Sequence, residues 1–123
     1  MSDKIRILIA DDHYILRLGL ATFLENNDDM LMVGEAADGQ QAVELCERLH
    51  PDVILMDLAM PVMDGMAATA IITHSFPQTS VIVSTSIFSD DTRQEALRAG
   101  AHTYLNKTIS VDVLADAIRE AAG

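Results

Sequence analysis

The sequence predicts a doubly wound α/β domain, a five-stranded parallel sheet with helices on both faces. Three observations predict it. Five short apolar runs alternate with five stretches of helical spacing. Runs such as Ile5-Arg6-Ile7-Leu8-Ile9-Ala10 are too continuously apolar for a strand with one wet face, and fit parallel strands covered on both sides. The 123 residues suffice for one core and are too few for two, so 1–123 reads as a single domain.

Ile5–Ala10 is the first strand. Leu16, Leu20, Phe23 and Leu24 then form a stripe at helical spacing. Met30–Ala37 is the second strand, and Asp38-Gly39 is a turn signal ahead of the helix carrying Ala42, Leu45, Cys46 and Leu49. Pro51 ends that helix and Val53–Met56 is the third strand. A third helix covers 64–74, and Pro77 separates it from the strand Ser80–Thr85. A fourth helix covers 90–99 and stops at Gly100. His102–Leu105 is short and takes its strand assignment from the alternation. Ser110 is an N-cap for the last helix, whose stripe is Leu114, Ala117, Ile118 and Ala121.

Composition narrows the function. Half the residues are hydrophobic, which excludes disorder. A net charge of −11 makes the chain a poor binder of phosphate backbones and an attractor of cations. The single cysteine, Cys46, forms no internal disulfide and reads as an inert core residue, which fits a reducing cytoplasm. The start, Met1-Ser2-Asp3-Lys4-Ile5-Arg6, lacks the features of a signal peptide, and no apolar run is long enough to cross a bilayer, so no membrane partner is expected. The four histidines are scattered and are assigned no metal. Met60, Met63 and Met66 read as packing.

In a parallel sheet the functional groups stand beyond the carboxyl ends of the strands. The first strand ends in Asp11-Asp12, the third in Asp57, the fourth in Ser84-Thr85-Ser86, and Lys107 lies past the fifth. Taken singly, Asp11 or Asp12 is a helix cap, Asp57 a loop aspartate, Thr85 a strand former and Lys107 a solvated lysine. Their shared position at one sheet edge argues otherwise. Clustered carboxylates call for a hard cation, and oxygen ligands with room for water suit Mg²⁺. With a lysine and a hydroxyl alongside, the set looks like a phosphoryl-transfer site.

At these residues the chain resembles the receiver domain of bacterial two-component response regulators, over essentially its whole length. The most specific stretch is Val53-Ile54-Leu55-Met56-Asp57-Leu58-Ala59-Met60-Pro61-Val62-Met63-Asp64-Gly65, similar to the family's phosphoacceptor segment with its loop-shaping Pro61 and Gly65. Asp11-Asp12, Thr85 and Lys107 match the acidic pair, switch hydroxyl and lysine in order and spacing. The resemblance implies a flavodoxin-like (βα)5 fold with strand order 2-1-3-4-5. It implies phosphorylation of Asp57 by a sensor histidine kinase or a small acyl phosphate. Mg²⁺ would be held by Asp12, Asp57 and the backbone carbonyl of Ala59, with Asp11 acting through water. Thr85 and Lys107 would hold the phosphoryl oxygens. Tyr104, matching the switch aromatic, would turn inward and change the surface of the fourth helix, fifth strand and fifth helix. Taken without the resemblance, Tyr104 is an ordinary half-buried tyrosine with its hydroxyl in water.

The chain departs from the family pattern in places. Ala59 offers no side chain to steer an attacking water, which leaves the lifetime of the phosphorylated state open. Ser86 is slightly larger than the usual small residue after the switch hydroxyl. Thr108 stands where many receivers have proline, leaving the Lys107–Thr108 peptide geometry open. Asp11-Asp12-His13, Arg17-Leu18-Gly19-Leu20 and Ala99–Lys107 resemble the NarL/LuxR-type subfamily, which implies a transcriptional output. DNA would then be contacted only by an appended C-terminal helix-turn-helix domain, the chain being either a receiver cut from a longer regulator or a stand-alone one. A homodimer through the first and fifth helices, or the fourth and fifth, fits such proteins.

The reading is therefore a phosphoacceptor switch rather than a turnover enzyme. A haloacid-dehalogenase-type phosphatase needs an acid two residues after its nucleophile, where this chain has Ala59. A flavin binder needs a phosphate-cradling loop after the first strand, where the paired Asp11-Asp12 would repel a phosphate. A receiver fold used only as an interaction module, never phosphorylated, is the remaining alternative.

Overall fold

A computed structural model describes residues 3–123, so Met1 and Ser2 of the start considered above lie outside the described residues. Strands β1 (Ile5–Ala10), β2 (Met30–Ala36), β3 (Val53–Asp57), β4 (Ser80–Thr85) and β5 (Thr103–Asn106) alternate with helices α1 (Tyr14–Glu25), α2 (Gly39–Leu49), α3 (Gly65–Ser75), α4 (Asp90–Arg98) and α5 (Val111–Ala122). All strand pairs are parallel, and the sheet order is β2-β1-β3-β4-β5. This is the flavodoxin-like arrangement expected above.

Alternation along the strands sorts the core into two layers. Leu8 and Ala10 of β1 face one way with Ile54, Met56, Val81 and Val83, against α2, α3 and α4. Ile7 and Ile9 face the other way with Val53, Leu55 and Ile82, against α1 and α5. Each fully buried Ile, Leu or Val contributes roughly 1.5–3 kcal/mol of burial. Cys46 sits in the first layer, and burial pushes its thiol up to about 12. Met60 is buried there, with Met63 and Met66 packed against it.

Boundaries move by a residue or two for identifiable reasons. β2 stops at Ala36 because the Ala37 N–H donates to the Gln41 side chain instead of the ladder, at 2.8 Å. Asp57 belongs to β3, paired in register with Ser84. β5 begins one residue later than expected, although the His102 N–H still bonds the Val81 carbonyl. Helix starts follow side-chain caps: Asp38, Asp64, Ser89 and Ser110 each accept a backbone N–H from the first turn. α1 is the exception. Its N-cap is His13, whose side chain makes no capping bond, so neither Asp11 nor Asp12 caps that helix. Gly100 ends the α4 region at φ +108°, and a side chain there would also collide with Thr73. No described peptide bond is cis, so Lys107–Thr108 is trans. No helix among the described residues is long and apolar enough to cross a membrane.

Candidate functional site

Parallel pairing brings the ends of β1, β3, β4 and β5 to one edge, and the local chain fixes what each presents there. Asp11 follows β1 directly, with its N–H still bonded to the Ala36 carbonyl at 3.0 Å. Asp57 closes β3. Lys107 follows β5 and donates its N–H to the Thr85 carbonyl at 2.9 Å, which ties the lysine to the end of β4.

The side chains then meet. Lys107 Nζ lies 2.9 Å from Asp11 Oδ2 and 3.1 Å from Asp57 Oδ1, so one ammonium bridges two carboxylates that are each about 4% exposed. The Ala59 N–H donates to Asp57 Oδ1 at 3.4 Å. Asp57 Oδ2 is buried and has no partner. Burial pushes the Asp11 carboxyl up, but the Lys107 ammonium and the donors of His13 outweigh it and hold it below the usual carboxylate range. Asp57 goes the other way. Burial and then the Asp11 charge raise it, and Lys107 and the Ala59 N–H only partly compensate. Burial alone would lower Lys107; the two carboxylates reverse that and raise it.

Asp12 is more exposed and joins the cluster from the next position. His13, which sequence reasoning left without a role, completes it. Its N–H donates to Asp11 Oδ1 at 2.9 Å, and its Nδ1 lies 2.9 Å from the same oxygen and 3.1 Å from Asp12 Oδ1. Asp11, Asp12, His13 and Asp57 offer ligand atoms within 4.8 Å of one another. Arg17 was also missed as a support. It donates to the Asp11 carbonyl at 2.7 Å while its Nε bonds Glu35 at 2.7 Å. The only signal in the sequence was proximity to the acidic pair.

The donor set fits Mg²⁺. Asp11, Asp12 and Asp57 supply hard carboxylate oxygens beside the His13 nitrogen, one of those oxygens an orphaned buried atom on Asp57, with an excess of negative charge over Lys107.

The loop after Asp57 is shaped as the motif suggests. The Gly65 N–H donates to the Leu58 carbonyl at 2.9 Å, and a Cβ on Gly65 would overlap the Asp57 carbonyl and stand 2.8 Å from Leu58 Cα. Pro61 accepts from the Met63 N–H at 2.7 Å, which leaves Val62 between them at φ +67°.

Two expected switch residues differ from a simple picture. Thr85 is buried at the end of β4, but its hydroxyl accepts the Ile87 N–H at 3.0 Å rather than facing Asp57 or Lys107 as a hydrogen-bond partner. Tyr104 is already inward and buried. Its hydroxyl donates to the Ile87 carbonyl at 3.1 Å and accepts the Ser89 N–H at 3.3 Å, and its ring packs on Phe88 at 4.9 Å. In this structure the ring lies inward and its hydroxyl is bonded to the chain at Ile87 and Ser89.

Comparison with known proteins bears on this geometry. The family described as Response regulator receiver domain matches residues 7–119. The transcriptional regulatory protein LiaR of Bacillus subtilis is 48% identical over 118 residues, 96% of this chain and 56% of that protein. The response regulator protein VraR of Staphylococcus aureus is 41% identical over 116 residues, 94% of this chain and 56% of that protein. The chain thus spans little more than half the length of these curated relatives. Among solved structures, the receiver domain of the putative response regulator NarL from Mycobacterium tuberculosis superposes with a TM-score of 0.93 at 32% identity, covering 98% of this chain and 97% of that one. A LuxR-family response regulator from Aurantimonas superposes with a TM-score of 0.92 at 30% identity, covering 98% and 86%.

Proposed function

Since the chain belongs to the response regulator receiver domain family, and within it resembles the NarL/LuxR type, we propose that it accepts a phosphoryl group on Asp57. The observation that carries this reading is the split between the two Asp57 oxygens. Oδ1 is engaged by Lys107 and Ala59, while Oδ2 is buried without a partner. A carboxylate so held is oriented, and its two oxygens stand in different surroundings.

Mg²⁺ would be held by Asp12, Asp57 and the Ala59 carbonyl, with Asp11 through water; when bound it supplies neutralising charge to the phosphoryl oxygens. The protein's own groups do the rest. An Asp57 oxygen forms the new bond to phosphorus as the donor's bond breaks, from phosphorus to the imidazole nitrogen of a phosphohistidine or to the carboxyl oxygen of an acyl phosphate. Lys107, 3.1 Å from that carboxylate, then faces phosphoryl oxygens in its place. Asp11 keeps the ammonium aimed at the site from 2.9 Å. The Thr85 hydroxyl redirects the proton it gives to the Ile87 carbonyl at 3.4 Å toward a phosphoryl oxygen, which loosens the β4–α4 loop. Because Tyr104 is already seated on that loop, the response begins from the loop's hydrogen bonds rather than from a ring flip.

The donor would be a sensor histidine kinase in the cytoplasm or a small acyl phosphate. The output would be transcription through an appended DNA-binding domain, with receiver pairing as one way to transmit it. The domain turns over no substrate in this scheme. Incubation with acetyl phosphate and Mg²⁺ tests the acceptor role: intact mass should show one labile phosphate per chain, absent in Asp57→Asn. Steady phosphate release without an adduct would favour a phosphatase, and no adduct even with a kinase would favour an interaction module.

A further inference from the structure

Lys107 carries the longest side chain of the site, on a stem that is flexible in itself, yet its ammonium lies 2.9 Å from Asp11 and 3.1 Å from Asp57. The strand that delivers it gives little support. β5 has four residues and pairs with β4 alone, at the edge of the sheet. The next regular element starts only at Val111, capped by Ser110. Between the two, Asn106 closes the chain over Lys107. Its Oδ1 accepts the Thr108 N–H at 3.0 Å and the Thr108 hydroxyl at 2.9 Å, and its carbonyl accepts the Ile109 N–H at 3.1 Å. A backbone N–H only donates, so the amide has to turn its oxygen, not its nitrogen, to Thr108.

Lys107 is thereby held from two sides. On the sheet side its own N–H bonds the Thr85 carbonyl at 2.9 Å. On the other side the bonds to Asn106 fix the two residues that follow it. Asparagine holds turns in this way, by bonding the backbone two residues on. Among the described residues no hydrogen bond joins Asn106 to Asp11 or Asp57, so any effect it has on the site passes through Lys107. Placement of this kind matters to rate, since a displacement of about 1 Å at a reacting centre can cost roughly a hundredfold. We propose that Asn106, with Thr108 as its partner, is a positioning residue for phosphotransfer, holding the Lys107 backbone so that the ammonium stays against both carboxylates. The kinetic part of the proposal rests on Asp57 being the acceptor; the structural part does not.

The sequence supplies an internal control, because the other lysine, Lys4, is exposed. In protein labelled with ¹³C-lysine, the order parameter of the Lys107 ε-methylene should stand well above that of Lys4. Asn106→Leu should bring Lys107 down toward the Lys4 value and slow phosphorylation by acetyl phosphate at saturating Mg²⁺ about tenfold, inside the range that misplacement produces. Thr108→Val, which loses only the hydroxyl bond, should fall between that variant and wild type. Thr108→Ser keeps both bonds and should match wild type in order parameter and in rate. The Thr108 pair decides the matter even where Asn106→Leu fails to fold. A mobile Lys107 with an undiminished rate, a slowed rate with Lys107 as ordered as in wild type, or Thr108→Ser behaving like Thr108→Val would each overturn the proposal. A wild-type protein that takes no phosphate would remove the acceptor reading, and the order parameters would still decide whether Asn106 holds Lys107.

Discussion

Asp11 and Asp57 share one lysine yet lean in opposite directions, and the cause is local. Asp11 also receives the His13 donors, whereas Asp57 keeps an unpartnered oxygen and feels Asp11 as a like charge. The consequences for stability have opposite sign. Asp57, raised in the folded state, contributes stability that is complete below its unfolded value and is lost as pH rises through its folded value. Asp11, lowered, contributes stability present above its unfolded value and lost as pH falls through its folded one. Without Mg²⁺, Asp57→Asn should therefore be more stable than wild type at neutral pH, by about 1 kcal/mol, the scale of one buried polar group relieved of an unmet need. Urea melts from pH 4 to 8 should show the gap closing toward acid; a gap that widens there would contradict the assignment. Lys107→Ala leaves both carboxylates facing each other. It should cost about 2 kcal/mol, less than the roughly 3–5 kcal/mol of a fully buried pair because the lysine is partly exposed and Asp57 can take up a proton. A double-mutant cycle with Asp57→Asn should recover part of that loss.

At the scale of elements, the loop between β3 and α3 carries the tightest constraints. Gly65→Ala should destabilise by about 1–3 kcal/mol, because its methyl overlaps the carbonyl of the acceptor residue itself. Val62→Gly should do the reverse, gaining about 1 kcal/mol by relieving a β-branched residue at φ +67° whose side chain is 78% exposed. Thermal melts check both, and a destabilised Val62→Gly would show that this exposed side chain has a packing role. Most of the elements were legible in the sequence. Apolar runs and caps such as Ser110 act locally, and the chain alternation dictates which groups share a sheet edge. What was illegible depends on packing between distant segments. Tyr104 is held inward by Ile87, Ser89 and Phe88, which belong to another loop. His13 gained its role from the bend after β1, which turns both its N–H and its ring onto Asp11.

For the whole molecule, the sheet order carries the account. It sets β1 beside β3 and β3 beside β4, so that acids, hydroxyl and lysine converge although Asp11 and Lys107 are 96 residues apart in sequence. The net charge of −11 surrounds that convergence with negative potential that favours a divalent cation. Mg²⁺ should accordingly raise the melting temperature of the wild-type protein, as any ligand of the folded state does, and the increment should shrink in Asp57→Asn and Asp12→Asn. An increment equal in all three proteins would place the cation elsewhere. The most direct test of the central claim is to locate the phosphoryl group by chemistry. The protein is phosphorylated with acetyl phosphate and Mg²⁺, reduced with borohydride, which converts an acyl phosphate to an alcohol, and mapped by peptide mass spectrometry. The account predicts homoserine at position 57 and none when the cation is chelated; homoserine at 11 or 12, or the same yield with chelator, would contradict it.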